Sequence, residues 1–308
     1  MLTSLRHQII TQLWQIYRQN TPQIQQIESF LQSEHSPPLT LDHFAIIDLP
    51  GPYSGIPILK QLFSLLGYTQ QGQDYLPQKQ NDFLWLAETD CAHQEARTVL
   101  PQAVVADFRL DEMPPAIRDI ILRYARQTQP LPLTQLKLLS QAVHKGSASS
   151  AESLARLILH YLKGRDWALP TVNEFHTVQE FNELLAWVLI FGRRPNHFTL
   201  SIHLLDKFDS LAEFHRLVEY PLQLPLNHEG GTIKGSEAIG IEQGSTIGTT
   251  QTVTLADGTV SLPTGFVEFV WRFPSQGTQG TPTLWRDFFT GFVANHANHV
   301  IESLYAQD

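Results

Sequence analysis

The 308-residue sequence contains one cysteine, Cys91, so no disulfide can form within the chain. A reducing compartment suits that usage, and the expected location is the cytoplasm. Cys91 itself reads as a small core residue. Positive charge is also scarce, with 21 Lys and Arg against 30 Asp and Glu and a net charge of −9. An acidic surface without a basic block repels phosphate backbones, so nucleic acid is not an expected partner. No uninterrupted apolar stretch is long enough to cross a bilayer, and Met1 to Tyr17 lacks the pattern of a cleaved signal peptide. Neither a membrane partner nor a targeting segment is expected. Internal repeats at solenoid periods, low-complexity tracts, a phosphate-binding loop, a dinucleotide fingerprint and a Ser-His-Asp order are all missing. With 42% hydrophobic and only 17% charged residues, the chain has enough apolar surface to bury a large core rather than stay disordered.

Periodicity divides what is there into strands and helices. Residues 1–32 read as two amphipathic helices parted at Asn20-Thr21-Pro22, and Ser36-Pro37-Pro38 breaks the pattern after them. Leu41 to Leu49 is a short apolar run between prolines, the signature of a buried strand. A helix over Ile58 to Leu66, closed by Gly67, leads to strands over Tyr68–Tyr75, Asp82–Glu88 and Ala103–Leu110. The centre, from Pro114 to Ile190, is predicted to be helical. One helix opens at Pro114-Pro115, another runs from Ser150 to Leu162, and a third runs from Thr177 to Phe191 with Thr177 and Glu180 as a capping box. Strands then return. Asn196 to Leu205 alternates His197, Thr199, Ser201 and His203 with Phe198, Leu200, Ile202 and Leu204. A helix over Ser210–Glu219, an Asp257-Gly258 hairpin and a strand over Gly265–Phe273 follow. Trp285 to Tyr305 is predicted to be a terminal helix.

The order strand, helix, strands therefore occurs twice around a helical insert. The expected class is α+β in one domain of residues 1–308. It comprises a first module (41–110), a helical insert (111–195), a second module (196–274) and a helical tail (275–308). Two curved sheets side by side leave a cleft, and His43, His197 and Glu268 occupy strand positions that can point into it. Two neutral imidazoles and one carboxylate suit a mononuclear divalent metal and leave one face of an octahedron open. Fe, Mn, Co, Ni and Zn all accept that donor set. A lone strand histidine is commonly a hydrogen-bonded core residue. Glu268, flanked by Phe266, Val267, Phe269 and Val270, needs a cation, and Arg272 on the same strand face is the alternative to a metal.

The segments LDHFAII, RRPNHFTLSIH and TGFVEFVWR, in this order, resemble the three metal-bearing segments of the 2-oxoadipate dioxygenase/decarboxylase family. These are glyoxalase-like relatives of the vicinal-oxygen-chelate superfamily. The resemblance spans about residues 5–305. It implies two glyoxalase-like βαβββ modules and an Fe(2+) site held by His43, His197 and Glu268, which would also be the catalytic centre. It further implies conversion of a small 2-oxo acid and O2 to a shortened hydroxy acid and CO2. One departure matters. The family carries an arginine four residues after its first ligand histidine to grip substrate carboxylate, and here that position is Ile47. Arg272 is the expected replacement, with Arg193 and Arg194 behind it, because bidentate grip of a carboxylate needs a guanidinium. Thr199, Ser201 and His203 share the strand face of His197 and are candidate substrate-pocket residues. His228 to Gly231 reads as a turn or a lid, His296 and His299 as a helix face, and His176 as structural. Two rival readings keep the cleft but change its use: a glyoxalase-type metal-dependent lyase or isomerase, or a non-catalytic protein that binds a small acid.

Overall fold

The computed structural model describes residues 1–31 and 39–305. The expected break at Ser36-Pro37-Pro38 lies outside the described residues. Ten strands form among the described residues: β1 (Leu41–Ile47), β2 (Tyr68–Leu76), β3 (Asn81–Glu88), β4 (Gln102–Phe108), β5 (His197–Ser201), β6 (Lys234–Ser236), β7 (Ile241–Ser245), β8 (Thr250–Thr254), β9 (Thr259–Pro263) and β10 (Phe266–Arg272). Eight of them build one mixed, curled sheet in the order β2-β3-β4-β1-β5-β10-β7-β6, while β8 and β9 make the hairpin signalled by Asp257-Gly258.

The sheet is two copies of one unit. In the first, β1, helix α3 (Ile56–Leu65), β2, β3 and β4 end with β4 parallel to β1. In the second, β5, helix α9 (Leu211–Glu219), β6, β7 and β10 end with β10 parallel to β5. The copies join where β1 and β5 pair antiparallel. They therefore form one continuous half-barrel rather than two neighbouring sheets, and the cleft is its inner face.

Two apolar layers clad the sheet. Outside, Phe44, Ile46, Val105, Phe198, Leu200, Val267 and Phe269 pack under α1 (Leu2–Asn20), α2 (Pro22–Leu31), α3, α9 and the insert helices α5 (Leu133–His144) and α6 (Ala148–Leu162). Phe198 is the hub, with the rings of Trp14, Tyr17 and Phe44 all centred within 5.2 Å of it. Inside, Ile47, Phe83, Ala106 and Phe266 meet α8 (Glu183–Phe191) and α10 (Ala294–Ile301). Helix α10 touches β2 at one edge of the sheet and β6 and β7 at the other, so it bridges the open side of the half-barrel. No helix among the described residues is long and apolar enough to cross a membrane.

Three expected elements differ. The helix foreseen from Thr177 to Phe191 is two, α7 (Val172–Phe181) and α8. Its capping box is Thr171 with Glu174, not Thr177 with Glu180. Asn182 is extended and its side chain accepts from the Leu185 amide, which ends one helix and caps the next. The strand foreseen to Leu205 stops at Ser201, and Ile202–Leu204 is a 3-10 turn that removes His203 from the strand face. The tail is not one helix. Short 3-10 turns at Trp285–Asp287 and Glu302–Leu304 flank α10.

Truncating the hub of the outer layer should be costly. Phe198→Ala is expected to lower unfolding stability by about 3–5 kcal/mol. A urea melt of the variant against wild type measures this, and a loss under about 1 kcal/mol would contradict the packing described.

Candidate metal centre

Strand register explains why three distant residues meet. Thr199 on β5 is paired with His43 on β1 to one side and with Glu268 on β10 to the other. All three side chains rise from one row across the inner face. The short Thr199 side chain in the middle lets the two longer ones lean over it. His197, two residues back along β5, points to the same face. Glu268 Oε2 is 3.2 Å from His43 Nε2 and 3.2 Å from His197 Nε2. One ligand atom from each residue lies within 4.8 Å of the other two, and all three residues are buried. Among the described residues this is the one such cluster of three or more His, Cys, Asp or Glu side chains.

The surroundings fix each donor. Gln243 on β7 donates to Glu268 Oε1 at 2.7 Å, and the Thr199 hydroxyl donates to Glu268 Oε2 at 3.0 Å. His43 Nδ1 lies 2.7 Å from Asp42 Oδ1, so the proton between them sits on Nδ1 and Nε2 is turned to the cluster. A carboxylate behind a ligand histidine is the usual arrangement that sets its tautomer and raises its basicity. The β1–β5 register slips between Leu41 and His43, and such a bulge re-aims side chains, here bringing Asp42 beside the ring it holds.

Burial alone would strip the proton from His43, but the Glu268 charge and the hydrogen bond with Asp42 outweigh it and lift its pKa to about 9. Burial would likewise push Glu268 up, yet the charge and hydrogen bond of His43 bring it down to about 2. His197 is dominated by burial and falls to about 4, which leaves it a neutral lone-pair donor. Without an ion the cluster is therefore one carboxylate balanced by one proton. A divalent ion fits the same place, since the donors are two imidazole nitrogens and a carboxylate turned to a common point.

Arg272 has a different partner from the one expected. Its Nε and one Nη grip Asp42 at 2.6 and 2.8 Å, and the other Nη donates to the carbonyls of Phe289 and Gly291. The guanidinium is fully buried, gives four of its five N–H groups to these partners and does not line the cavity beside the cluster, so it is not placed to grip a substrate carboxylate. Arg193 pairs with Asp48 and Asp166, and Arg194 donates to Asn20 and the Thr264 carbonyl. His203 packs against the rings of Phe288 and Trp271 and does not line the cavity beside the cluster. The Ser201 hydroxyl is buried without a hydrogen-bond partner, while Ile47 does line the cavity beside the cluster. His176 is on an exposed stretch of α7, and His296 and His299 stay on α10. Asp42 and Gln243 escaped the sequence reading. Asp42 had a signal, a carboxylate inside the apolar run LDHFAII with no neighbouring cation. Gln243 had none, because its role depends on β7 pairing with β10.

The curled double βαβββ sheet, with the cluster on its inner face, has a glyoxalase-like fold. The chain belongs to the 2-oxoadipate dioxygenase/decarboxylase family, whose family model matches residues 9–280. It is 27% identical over 269 residues to the chloroplastic/amyloplastic 2-oxoadipate dioxygenase/decarboxylase of Oryza sativa subsp. japonica, covering 86% of this chain and 68% of that one. It is 25% identical over 311 residues to the chloroplastic counterpart of Arabidopsis thaliana, covering 97% and 77%. The crystal structure of the Oryza sativa hydroxyglutarate synthase in complex with 2-oxoadipate superposes with a TM-score of 0.80 at 24% identity, over 98% of this chain and 93% of that one. The family is one of enzymes acting on 2-oxo acids.

Because a proton holds the place of the ion, metal uptake should release it. Affinity for Mn(II) or Fe(II) is expected to rise about tenfold per pH unit between pH 6 and 8. Anaerobic titration at several pH values measures the slope, and a flat profile would remove His43 from the ligand set. Replacing His43, His197 or Glu268 singly by Ala should abolish stoichiometric binding. Thr199→Val should weaken it by about 10- to 100-fold while the fold persists. Metal content after gel filtration reads both.

Proposed function

We propose that this chain is an Fe(II)-dependent dioxygenase/decarboxylase that converts a small 2-oxo acid and O2 into CO2 and a 2-hydroxy acid one carbon shorter. The single observation that carries the reading is the convergence of His43, His197 and Glu268 on one point in a buried apolar chamber. A bound ferrous ion supplies the one-electron chemistry with O2 that imidazole and carboxylate lack.

The chain's own residues do the rest. His43 and His197 offer neutral nitrogens, and Glu268 neutralises one of the ion's two charges. Gln243 and Thr199 hold both Glu268 oxygens, so the carboxylate cannot swing away to bind elsewhere. Asp42, itself clamped by Arg272, keeps the His43 ring in its ligating orientation and draws off positive charge. Phe292 stands edge-on to the His43 ring with centroids 4.8 Å apart. With α8 and α10 it roofs the chamber, which excludes water that would quench a reactive oxidant. The similarity to the rice and Arabidopsis 2-oxoadipate dioxygenase/decarboxylases supports this reaction class.

Anaerobic loading with Fe(II), addition of a panel of 2-oxo acids and admission of air should give O2 uptake matched one for one by CO2 release. Glu268→Ala should reduce both to the buffer background. Uptake unchanged in that variant, or absent with every acid tested, would refute the assignment.

A further inference from the structure

The cavity that opens from the cluster has walls of one character. Ala45, Ile47, Phe83, Val104, Val300 and Ile301 are among the residues that line it. Beyond His43, His197 and Glu268, its polar linings are Asn81 and Gln243. The Asn81 amide nitrogen donates to the Asp107 carbonyl and that of Gln243 to Glu268. The Gln243 carbonyl oxygen is buried without a partner, and an acceptor there repels a second anion. No lysine or arginine lines the cavity among the described residues. Neither Arg272 nor Lys234, both buried, is among the residues that line it. Arg272 is locked on Asp42, and the buried Lys234 ammonium donates to the Asn227 carbonyl.

We propose that the substrate is a 2-oxo monocarboxylic acid with an uncharged, apolar side chain, which this cavity takes in preference to a 2-oxo dicarboxylic acid. The inference rests on the oxygenase reading for what happens to the acid, and on the cavity walls for which acid it is. Glu268 and one substrate carboxylate together neutralise a divalent ion. A second carboxylate carried into the chamber would leave a net negative charge facing alkyl and phenyl groups, with no lining cation to meet it and with the Asn81 and Gln243 amides each already giving an N–H to another oxygen. A buried, unpaired carboxylate is among the most unfavourable groups a dry site can hold. An alkyl chain in the same place replaces water with van der Waals contact.

The test pairs 2-oxohexanoate with 2-oxoadipate, which differ by a terminal methyl in place of a carboxylate. Anaerobic calorimetric titration of the Mn(II)-loaded protein reads binding without turnover, and O2 uptake by the Fe(II)-loaded protein reads use. 2-Oxohexanoate is expected to be favoured by about 100-fold or more in both Kd and kcat/KM. Ile47→Arg, which puts a guanidinium on the wall beyond Ala45, should narrow that gap by about tenfold or more. If that variant does not fold, the wild-type comparison decides alone. Equal or tighter binding of 2-oxoadipate by wild type overturns the proposal and leaves the oxygenase reading intact. Selective binding of 2-oxohexanoate with no O2 uptake from any acid upholds the proposal and overturns the oxygenase reading. Failure of both acids to bind overturns the proposal.

Discussion

The arrangement of the inner face depends on one constraint, the charge of Glu268 buried in the middle of an eight-stranded sheet. A carboxylate there is tolerable only beside compensating positive charge. The structure meets the need with a line of alternating groups: the Arg272 guanidinium, the Asp42 carboxylate, the His43 ring and Glu268 itself. The line ties β10 to β1, and both flank β5, so a change of register in any of the three strands would strand a charge. It also explains why Arg272 is not available in the cavity. The guanidinium balances Asp42, and Asp42 holds the histidine that balances Glu268. Positive charge at the cluster is obligatory, and its carrier can be a proton or an ion. In that sense the metal-free pairing of His43 with Glu268 is the same electrostatic solution that a divalent ion would provide.

The strands and their order could be read from sequence because apolar runs bounded by prolines and glycines admit few other conformations. LDHFAII, NHFTLS and GFVEFVWR each gave a strand at the expected place, and the repetition of strand, helix, strands announced the doubled sheet. What could not be read is what register decides. Arg272 and Asp42 are separated by 230 positions, and nothing local in either segment favours that pairing over a substrate carboxylate. The same holds for Gln243, whose neighbour across β10 is unknown until the strands are aligned. The helical errors have local causes. Apolar spacing continues through Asn182, so the helix looked unbroken, although the Asn182 side chain competes for the Leu185 amide. His203 kept strand alternation in sequence, but the chain tightens into a 3-10 turn at Ile202.

Duplication accounts for the asymmetry of the site. His43 and His197 hold matching places on β1 and β5, and the register of each first strand with the last strand of its own module can be compared directly. In the second module Thr199 on β5 is aligned with Glu268 on β10. In the first, the residue matching Thr199 is Ala45, and its partner on β4 is Val104. Val104 therefore stands where a second copy of Glu268 would stand. A carboxylate at both places would surround the centre with four protein donors and two negative charges. With valine at one of them, the centre keeps three donors and a single negative charge, and its side toward β4 carries no ligand. Val104 is also part of the apolar cavity wall, together with Ala45 and Ile47. The same substitution of an alkyl group for a carboxylate thus leaves the first module without a donor and turns its face into the surface against which a small apolar acid can lie.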